Sequence, residues 1–246
     1  MSGDIWYVYS VTGVDAAAPR GLDATRPLAT IEQAQTNASN GDIILCLSGH
    51  TETLMLTISK QLTIVGAGQS SGKPTVKLTP STNAALACVT VDAVGTELRN
   101  LWIEERTGAS ATARMTVSAA NFRMVDCYIE CGATDTGPAL ELASGANSAQ
   151  IVNTTFISTA TALASQPESA ITVSAAISDL LMDGVVFSNS TYGFSNPYAF
   201  VASASAITRL RAQSVSLLLG ADATIHASTT GWMNPQTVTG GSRVLW

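Results

Sequence analysis

The sequence predicts an all-β chain: a single-stranded, right-handed parallel β-helix of about six to seven coils, with a short N-terminal capping helix. Three observations carry this prediction. First, one apolar line returns four times, as Leu98-Arg99-Asn100-Leu101-Trp102-Ile103, Met124-Val125-Asp126-Cys127-Tyr128-Ile129, Ile151-Val152-Asn153-Thr154-Thr155-Phe156 and Leu181-Met182-Asp183-Gly184-Val185-Val186. A worn fifth copy, Arg211-Ala212-Gln213-Ser214-Val215-Ser216, sets the Asn/Asp/Gln positions 26, 27, 30 and 30 residues apart. Second, a short apolar strand precedes each of the four, at Cys88–Val91, Arg114–Val117, Ala139–Leu142 and Ala170–Val173. Repeated short strands with turn residues between them and no helix read as coils of a solenoid. Third, only 12% of the 246 residues are charged, against an average of about 25%. Ala, Ser, Thr and Gly make up the difference, as suits a stacked sheet with small polar outer faces.

Taken in order, residues 1–24 form an N-terminal strand, Ile5–Tyr9, and an arm that runs from Thr12 to Gly21. Residues 25–41 are expected to form the capping helix. Pro27 suits a first helical turn. Leu28, Ile31, Ala34 and Ala38 follow at helical spacing, and Asn40-Gly41 ends the run. Such a helix plugs the solenoid end, which otherwise exposes core side chains and strand edges. The β-helix proper spans 42–219, beginning with strands at Asp42–Leu47, Leu54–Ile58 and Gln61–Val65 and a turn at Gly66-Ala67-Gly68, with Lys73–Leu78 opening the next coil. From 220 to 246 the repeat fades. Thr229-Thr230-Gly231-Trp232, Asn234-Pro235 and Gly240-Gly241 read as loops of a C-terminal cap or contact tail.

Trp6-Tyr7-Val8, Gly13-Val14-Asp15, Arg26-Pro27-Leu28-Ala29-Thr30-Ile31, Gly41-Asp42-Ile43-Ile44 and Leu62-Thr63-Ile64-Val65-Gly66 stand in that order. This run resembles the opening of pectin-lyase-like right-handed β-helix proteins. Gly49-His50-Thr51-Glu52-Thr53, Gly66-Ala67-Gly68 and Lys73-Pro74-Thr75-Val76 are similar to β-helical structural proteins of tailed bacteriophages. The resemblance covers about residues 5–80 by motif and the rest by periodicity. It implies the fold more firmly than the function, because this fold hosts both enzymes and inert virion parts.

Strand alternation sorts the repeat into faces. Leu98, Leu101 and Ile103 point inward, and the bend at Asn100 resets the phase. The same registration sends Met124, Cys127 and Ile129 inward, then Ile151, Thr154 and Phe156, then Leu181, Gly184 and Val186. The bend favours Asn, Asp or Gly, which accept left-handed backbone angles. Outward columns are then Trp102, Tyr128, Thr155, Val185 and Val215, with Val125, Val152 and Met182 beside them. Columns this apolar imply a covered surface, either the interface of a parallel homotrimer or loops 104–113 and 188–197 folded back on the face.

Little in the chain points to catalysis. Glu104 and Glu130 sit one coil apart on the outward face, the nearest approach to the paired carboxylates of a glycosidase. Asp126 and Asp183 stand where turn residues belong. His50 and Glu52 read as a hydrogen-bonded turn, and His226 stands alone. Cys46, Cys88 and Cys127 occupy inward positions and serve as small core hydrophobes. Cys131 completes the four cysteines, and no spacing suggests zinc. No metal, no cofactor and no catalytic residue is expected.

Net charge is −6 without a basic run, and no apolar stretch approaches the ~18 residues of a membrane span. Nucleic acid and membrane are therefore poor partners. Met1-Ser2-Gly3-Asp4 has the features of no secretory signal, which predicts assembly in a host cytoplasm. The function expected from these features and from the resemblance is non-enzymatic. It is a phage virion structural protein, a trimeric decoration or cement protein on the capsid exterior, with itself and the major capsid protein as partners. Trp6, Tyr7 and Tyr9 are the expected capsid contacts. The alternative is a tailspike-type carbohydrate-binding or polysaccharide-degrading β-helix, with Trp102, Tyr128, Glu104 and Glu130 as the glycan site.

Overall fold

Short strands of two to five residues, several of them followed by a residue in the left-handed region, wind the chain into coils of three strands. The computed structural model describes residues 3–80, 87–104, 113–131, 137–159, 169–189, 198–202, 207–218, 224–226 and 244–245. Three parallel sheets of eight, seven and eight strands run along the solenoid, and every strand pairs with its counterpart one coil away. The seven-stranded sheet counts seven coils, the right-handed parallel β-helix that the sequence predicts.

The first sheet contains Ile5–Val8, Ile43–Cys46, Thr63–Gly66, Glu97–Arg99, Arg123–Val125, Gln150–Val152, Leu180–Asp183 and Leu210–Gln213. The second contains Thr51–Leu54, Lys77–Pro80, Trp102–Ile103, Tyr128–Cys131, Thr155–Ser158, Val186–Asn189 and Ser216–Leu218. The third begins at Leu56–Ile58 and runs through Val89–Val91, Met115–Val117, Leu140–Leu142 and Ile171–Val173 to Tyr198–Ala202, Thr224–His226 and Val244–Leu245. The repeated line of the sequence is thus two strands with a corner between them. Thr224–His226 and Val244–Leu245 carry the third sheet into the tail, where only loops were expected. The loop motifs around Trp232, Asn234 and Gly240 lie outside the described residues.

Inward columns stack like on like. Ile44, Ile64, Leu98, Met124 and Ile151 succeed one another in the first sheet, and each is at most 2% exposed. In the second, Phe156 and Phe187 stack with ring centroids 5.7 Å apart and planes 27° apart. Such a pair adds about 0.5–1.5 kcal/mol beyond its buried area. Cys46, Cys88 and Cys127 are buried and unbridged. Burial pushes both the Cys46 and the Cys127 thiol up, the latter to about 12.

The corner residues fix the register. Asn100, Asp126 and Asn153 have φ of 52°, 55° and 47°. Each donates its backbone N–H to the next coil, to Val125 O, Val152 O and Asp183 O. In the fourth copy the left-handed residue is Gly184, at φ 64°, and in the fifth it is Ser214, at 52°. Asp183 and Gln213 therefore end strands and do not form the bends. The register slips one residue from the expected one: Met182, Val185 and Phe187 are fully buried, while Leu181, Gly184 and Val186 are half-exposed. Both registers put apolar residues at the inward sites, so hydrophobicity alone could not separate them. Geometry does. Gly184 sits in the left-handed region that favours glycine, and a Cβ there would also push the Asn153 side chain aside.

At the N-terminal end the helix is shorter than predicted, Ile31–Asn37, because Leu28 bridges to Val8 in extended form. Thr30 caps it through Gln33 N–H at 3.1 Å. Asp15 accepts from Ala29 and Thr30 N–H, and Glu52 accepts from Ile31 N–H. At the other end Lys60 Nζ donates to the carbonyls of Gln35, Thr36 and Ala38, where a cation complements the helix dipole. Ile31, Ala34 and Ala38 close the core beneath. The first strand's outer edge is paired as well: Tyr7 N–H donates to Gly21 O, and Tyr7 O accepts from Leu28. The N-terminal motifs are thereby explained as cap chemistry. Asp15 holds the helix start, and Asp42, 5% exposed, accepts from Trp6 Nε1, Asp4 N–H and Ser39 N–H.

Candidate functional site

The most built side-chain cluster on the outer surface belongs to the second sheet. Pairing aligns Lys77, Trp102, Tyr128, Thr155 and Val186 in one column. Beside it the same alternation sets Thr79, Glu104 and Glu130. Trp102 and Tyr128 meet edge to face, with centroids 6.2 Å apart and planes at 86°. Lys77 Nζ donates to Glu104 Oε1 at 2.9 Å and lies 5.4 Å from the Trp102 ring centroid. Thr79 Oγ1 donates to Glu104 Oε2 at 2.8 Å.

Lys73 arrives from outside the coil. Gln69–Ser70 and Lys73–Pro74 pair antiparallel around Ser71-Gly72, whose φ values of 52° and 79° fit the two-residue hairpin turn with both central residues left-handed. The hairpin carries Lys73 Nζ to 4.3 Å from the Tyr128 centroid, 4.8 Å from the Trp102 centroid and 3.4 Å from Glu130 Oε1. Gln69 ties the hairpin to the corner by donating to Asn100 Oδ1.

Charge states follow from these contacts. Burial works against the charged form of Glu104, but the hydrogen bonds from Lys77 and Thr79 and the lysine's charge outweigh it and hold the carboxyl below its ordinary value. Burial likewise opposes charge on Lys73, but Tyr128 and Glu130 prevail and raise it. Glu104 is thus an ionised acceptor at neutral pH and not a proton donor. The Trp102 indole nitrogen is buried without a hydrogen-bond partner, an arrangement that costs about 1–3 kcal/mol when nothing else satisfies the donor.

Of the expected glycan residues, Trp102, Tyr128, Glu104 and Glu130 come together on one face, all half-buried. Sequence reasoning missed Lys73, Lys77 and Thr79. Lys77-Leu78 lies one coil before Trp102-Ile103, so periodicity could have found Lys77. Nothing in the repeat announces Lys73, because its hairpin is an insertion.

The expected oligomer columns are corrected. Val125 and Val215 are 7% exposed, and Met182 and Val185 are fully buried. The one-residue slip puts Met182 in the inward column and Val185 and Val215 just after the corners, where Leu101 and Cys127 point inward. Val152 stays half-exposed. Its column neighbours are Val125 and Asp183, not Met182. Of the loops 104–113 and 188–197 offered as an alternative cover, residues 105–112 and 190–197 lie outside the described residues. Trp6 is also corrected as a capsid contact, since it is 4% exposed with its indole N–H on Asp42. Tyr7 and Tyr9 are half-buried.

His50 is structural. It accepts from Ser10 N–H at Nδ1 and bonds Glu52 through Nε2 at 3.0 Å, which gives the neutral ring its tautomer and aims Glu52 at the helix start. The first sheet's outer face holds a different charge group, in which Glu97 receives Arg99 and, at 3.0 Å, Arg123. Among the described residues no three His, Cys, Asp or Glu side chains converge as a metal set, and no helix is long and apolar enough to cross a membrane.

No family model and no curated protein matches the chain. Two solved structures do. The pectin methylesterase from Aspergillus niger in deglycosylated form is 14% identical, over 98% of this chain and 93% of that one, with a TM-score of 0.49. The same enzyme in penultimately deglycosylated form is 13% identical over the same shares, with a TM-score of 0.44. At this identity the likeness concerns the fold alone, and the parallel β-helix is defined independently by the strand pairing. Both structures are of an enzyme. The expectation that this chain lacks enzymatic activity is corrected on that finding: missing motifs do not exclude chemistry on this scaffold.

Proposed function

We propose that the chain is a polysaccharide-recognising β-helix whose glycan site is the outer face of the second sheet. The observation that carries the reading is the Trp102–Tyr128 pair set beside the column of Glu104 and Glu130, with Glu104 held ionised by Lys77 and Thr79. Sugar rings present apolar C–H faces to aromatic rings and hydroxyls to carboxylates. A strip of aromatics beside a column of acceptors offers both at once. Coils repeat at about 4.8 Å, so a bound polymer lies along or across a regular ladder of side chains and not in a closed pocket.

The test is retardation of the purified protein in native gels that contain acidic or neutral polysaccharides, read beside release of reducing ends and of methanol. Retardation by at least one polymer is expected. Migration unchanged in every polymer, with no released product, contradicts the proposal.

A second reading is the phage virion role, a homotrimer on the capsid that contacts the major capsid protein, or a tailspike. It is favoured by the motifs in residues 5–80 that resemble tailed-phage proteins. The apolar columns offered for the trimer give it less support than expected, because Met182, Val185 and Val215 belong to the monomer's own core and Val125 is buried in the monomer. Sedimentation equilibrium separates the states, since a trimer weighs three times the 25.4 kDa chain.

A further inference from the structure

We infer that Lys73 is the specificity-determining residue of the proposed glycan site, closing its aromatic platform to sugar rings that cannot replace the lysine's partners. The inference rests on the glycan reading of that face. Its grounds are geometric. The Lys73 ammonium stands 4.3 Å from the Tyr128 centroid and 4.8 Å from that of Trp102, where a stacking ring would have to lie. Its carboxylate partner Glu130 is 12% exposed, but the lysine side chain itself is 38% exposed, so it can leave toward solvent without unfolding anything.

The delivery is local. Lys73 belongs to neither the sheet nor the core. It rides the tight hairpin of Gln69–Ser70 and Lys73–Pro74, whose foot is pinned by Gln69 on Asn100 and by Thr75 Oγ1 on Ala67 O. A pinned foot with a long, flexible side chain at its tip makes a side-chain latch. Lys77 does not play this part, because it lies in the sheet and is engaged by Glu104 at 2.9 Å.

Binding is then an exchange. The two ring planes are at 86°, so a neutral sugar ring stacks on one of them and meets the other edge-on; it displaces the ammonium from the aromatic pair and gives it no new partner. A ring that bears a carboxylate takes the same place and supplies a partner for the displaced ammonium. Cation–π contacts at exposed to partly desolvated sites are worth about 0.5–2 kcal/mol, so the latch penalises neutral rings by roughly 2–30-fold.

The experiment compares wild type, Lys73→Ala and Lys73→Met, each made with and without Trp102→Phe, so that the Trp102 signal is obtained by difference and binding is read on the proteins that keep Trp102. Acrylamide quenching reads access to the platform. Affinity gels with methyl-esterified and de-esterified galacturonan read the ligand preference. Lys73→Ala is expected to raise quenching of Trp102 and to strengthen retention by the esterified, neutral polymer by roughly 2–30-fold. Retention by the acidic polymer is unchanged or weaker. Lys73→Met, similar in length but uncharged, keeps quenching low and loses the preference for acid. Unchanged quenching in Lys73→Ala, or an equal shift for both polymers, overturns the latch. Increased quenching with neither polymer retained by any variant sustains the latch as a surface feature and overturns the glycan reading and the specificity built on it. Far-ultraviolet circular dichroism verifies that every variant is folded.

Discussion

Replacing Met182 by Ala tests the register of the fourth copy, on which the assignment of the whole outer surface depends. Met182 is fully buried, in line with Leu98, Met124 and Ile151. Truncating a buried Met to Ala removes its transfer free energy and leaves a cavity, at about 2–5 kcal/mol. For a chain of this size each kcal/mol lowers the melting temperature by roughly 2–4 °C, so Met182→Ala should fall by roughly 4–20 °C. Leu181 is only half-buried, on the outer side of the strand, so its truncation leaves no closed cavity. Leu181→Ala should therefore lower the melting temperature clearly less than Met182→Ala. Thermal unfolding followed by circular dichroism, with urea unfolding as a second probe, measures both. Equal losses, or a larger loss for Leu181→Ala, refute the observed register and restore the one with Asp183 at the bend.

Two further outcomes are expected. Burial raises the Asp42 carboxyl, but hydrogen bonds from Ser39, Trp6 and Asp4 and the charge of Lys60 outweigh it, and the net effect is a lowered value. A carboxyl depressed in the folded state stabilises the fold above its ordinary value of about 3.9. That stability is lost as pH falls through the lower folded value. Asp42→Asn should accordingly lose stability at pH 7 and show a shallower acid-induced decline than wild type. Parallel declines in acid-titration melts count against the Asp42 network. Cys46 and Cys127 should resist iodoacetamide at pH 8 in the native protein and react fully in urea, since burial disfavours both thiolates. Peptide mass mapping reads this, and rapid native labelling of either contradicts their core placement.

The sequence made the architecture legible because the inward positions and the corners obey different rules at a fixed period. Leu98, Leu101 and Ile103 could be placed inward and Asn100 at a left-handed corner from one copy, then checked against the next two. The fourth copy failed for a physical reason: Leu181-Met182 and Val185-Val186 are apolar doublets, so sliding one residue loses no hydrophobicity, and Asp183 resembles Asp126. Only the steric demand at Gly184 decides. That slip added Met182, Val185 and Val215 to the apparent outward columns and so inflated the case for a buried trimer face.

The cap was legible in outline. Its polar network was not, since Asp15, His50, Glu52 and Lys60 act across 15 to 40 residues on the helix ends and the first strand. The site was half legible. Trp102, Tyr128, Glu104 and Glu130 follow from periodicity, whereas the lysines that neutralise them come from a preceding strand and from an inserted hairpin.

The central claim is that the second sheet's outer face holds the glycan, and its most direct test is a comparison of two double variants on the polymer that wild type retains best. Trp102→Ala with Tyr128→Ala removes the platform. Arg99→Ala with Arg123→Ala strips the charged face of the first sheet and leaves the platform intact. The account predicts that the aromatic variant loses at least about tenfold in affinity and that the arginine variant binds within about twofold of wild type. An unchanged aromatic variant beside a weakened arginine variant contradicts it and moves the site to the first sheet.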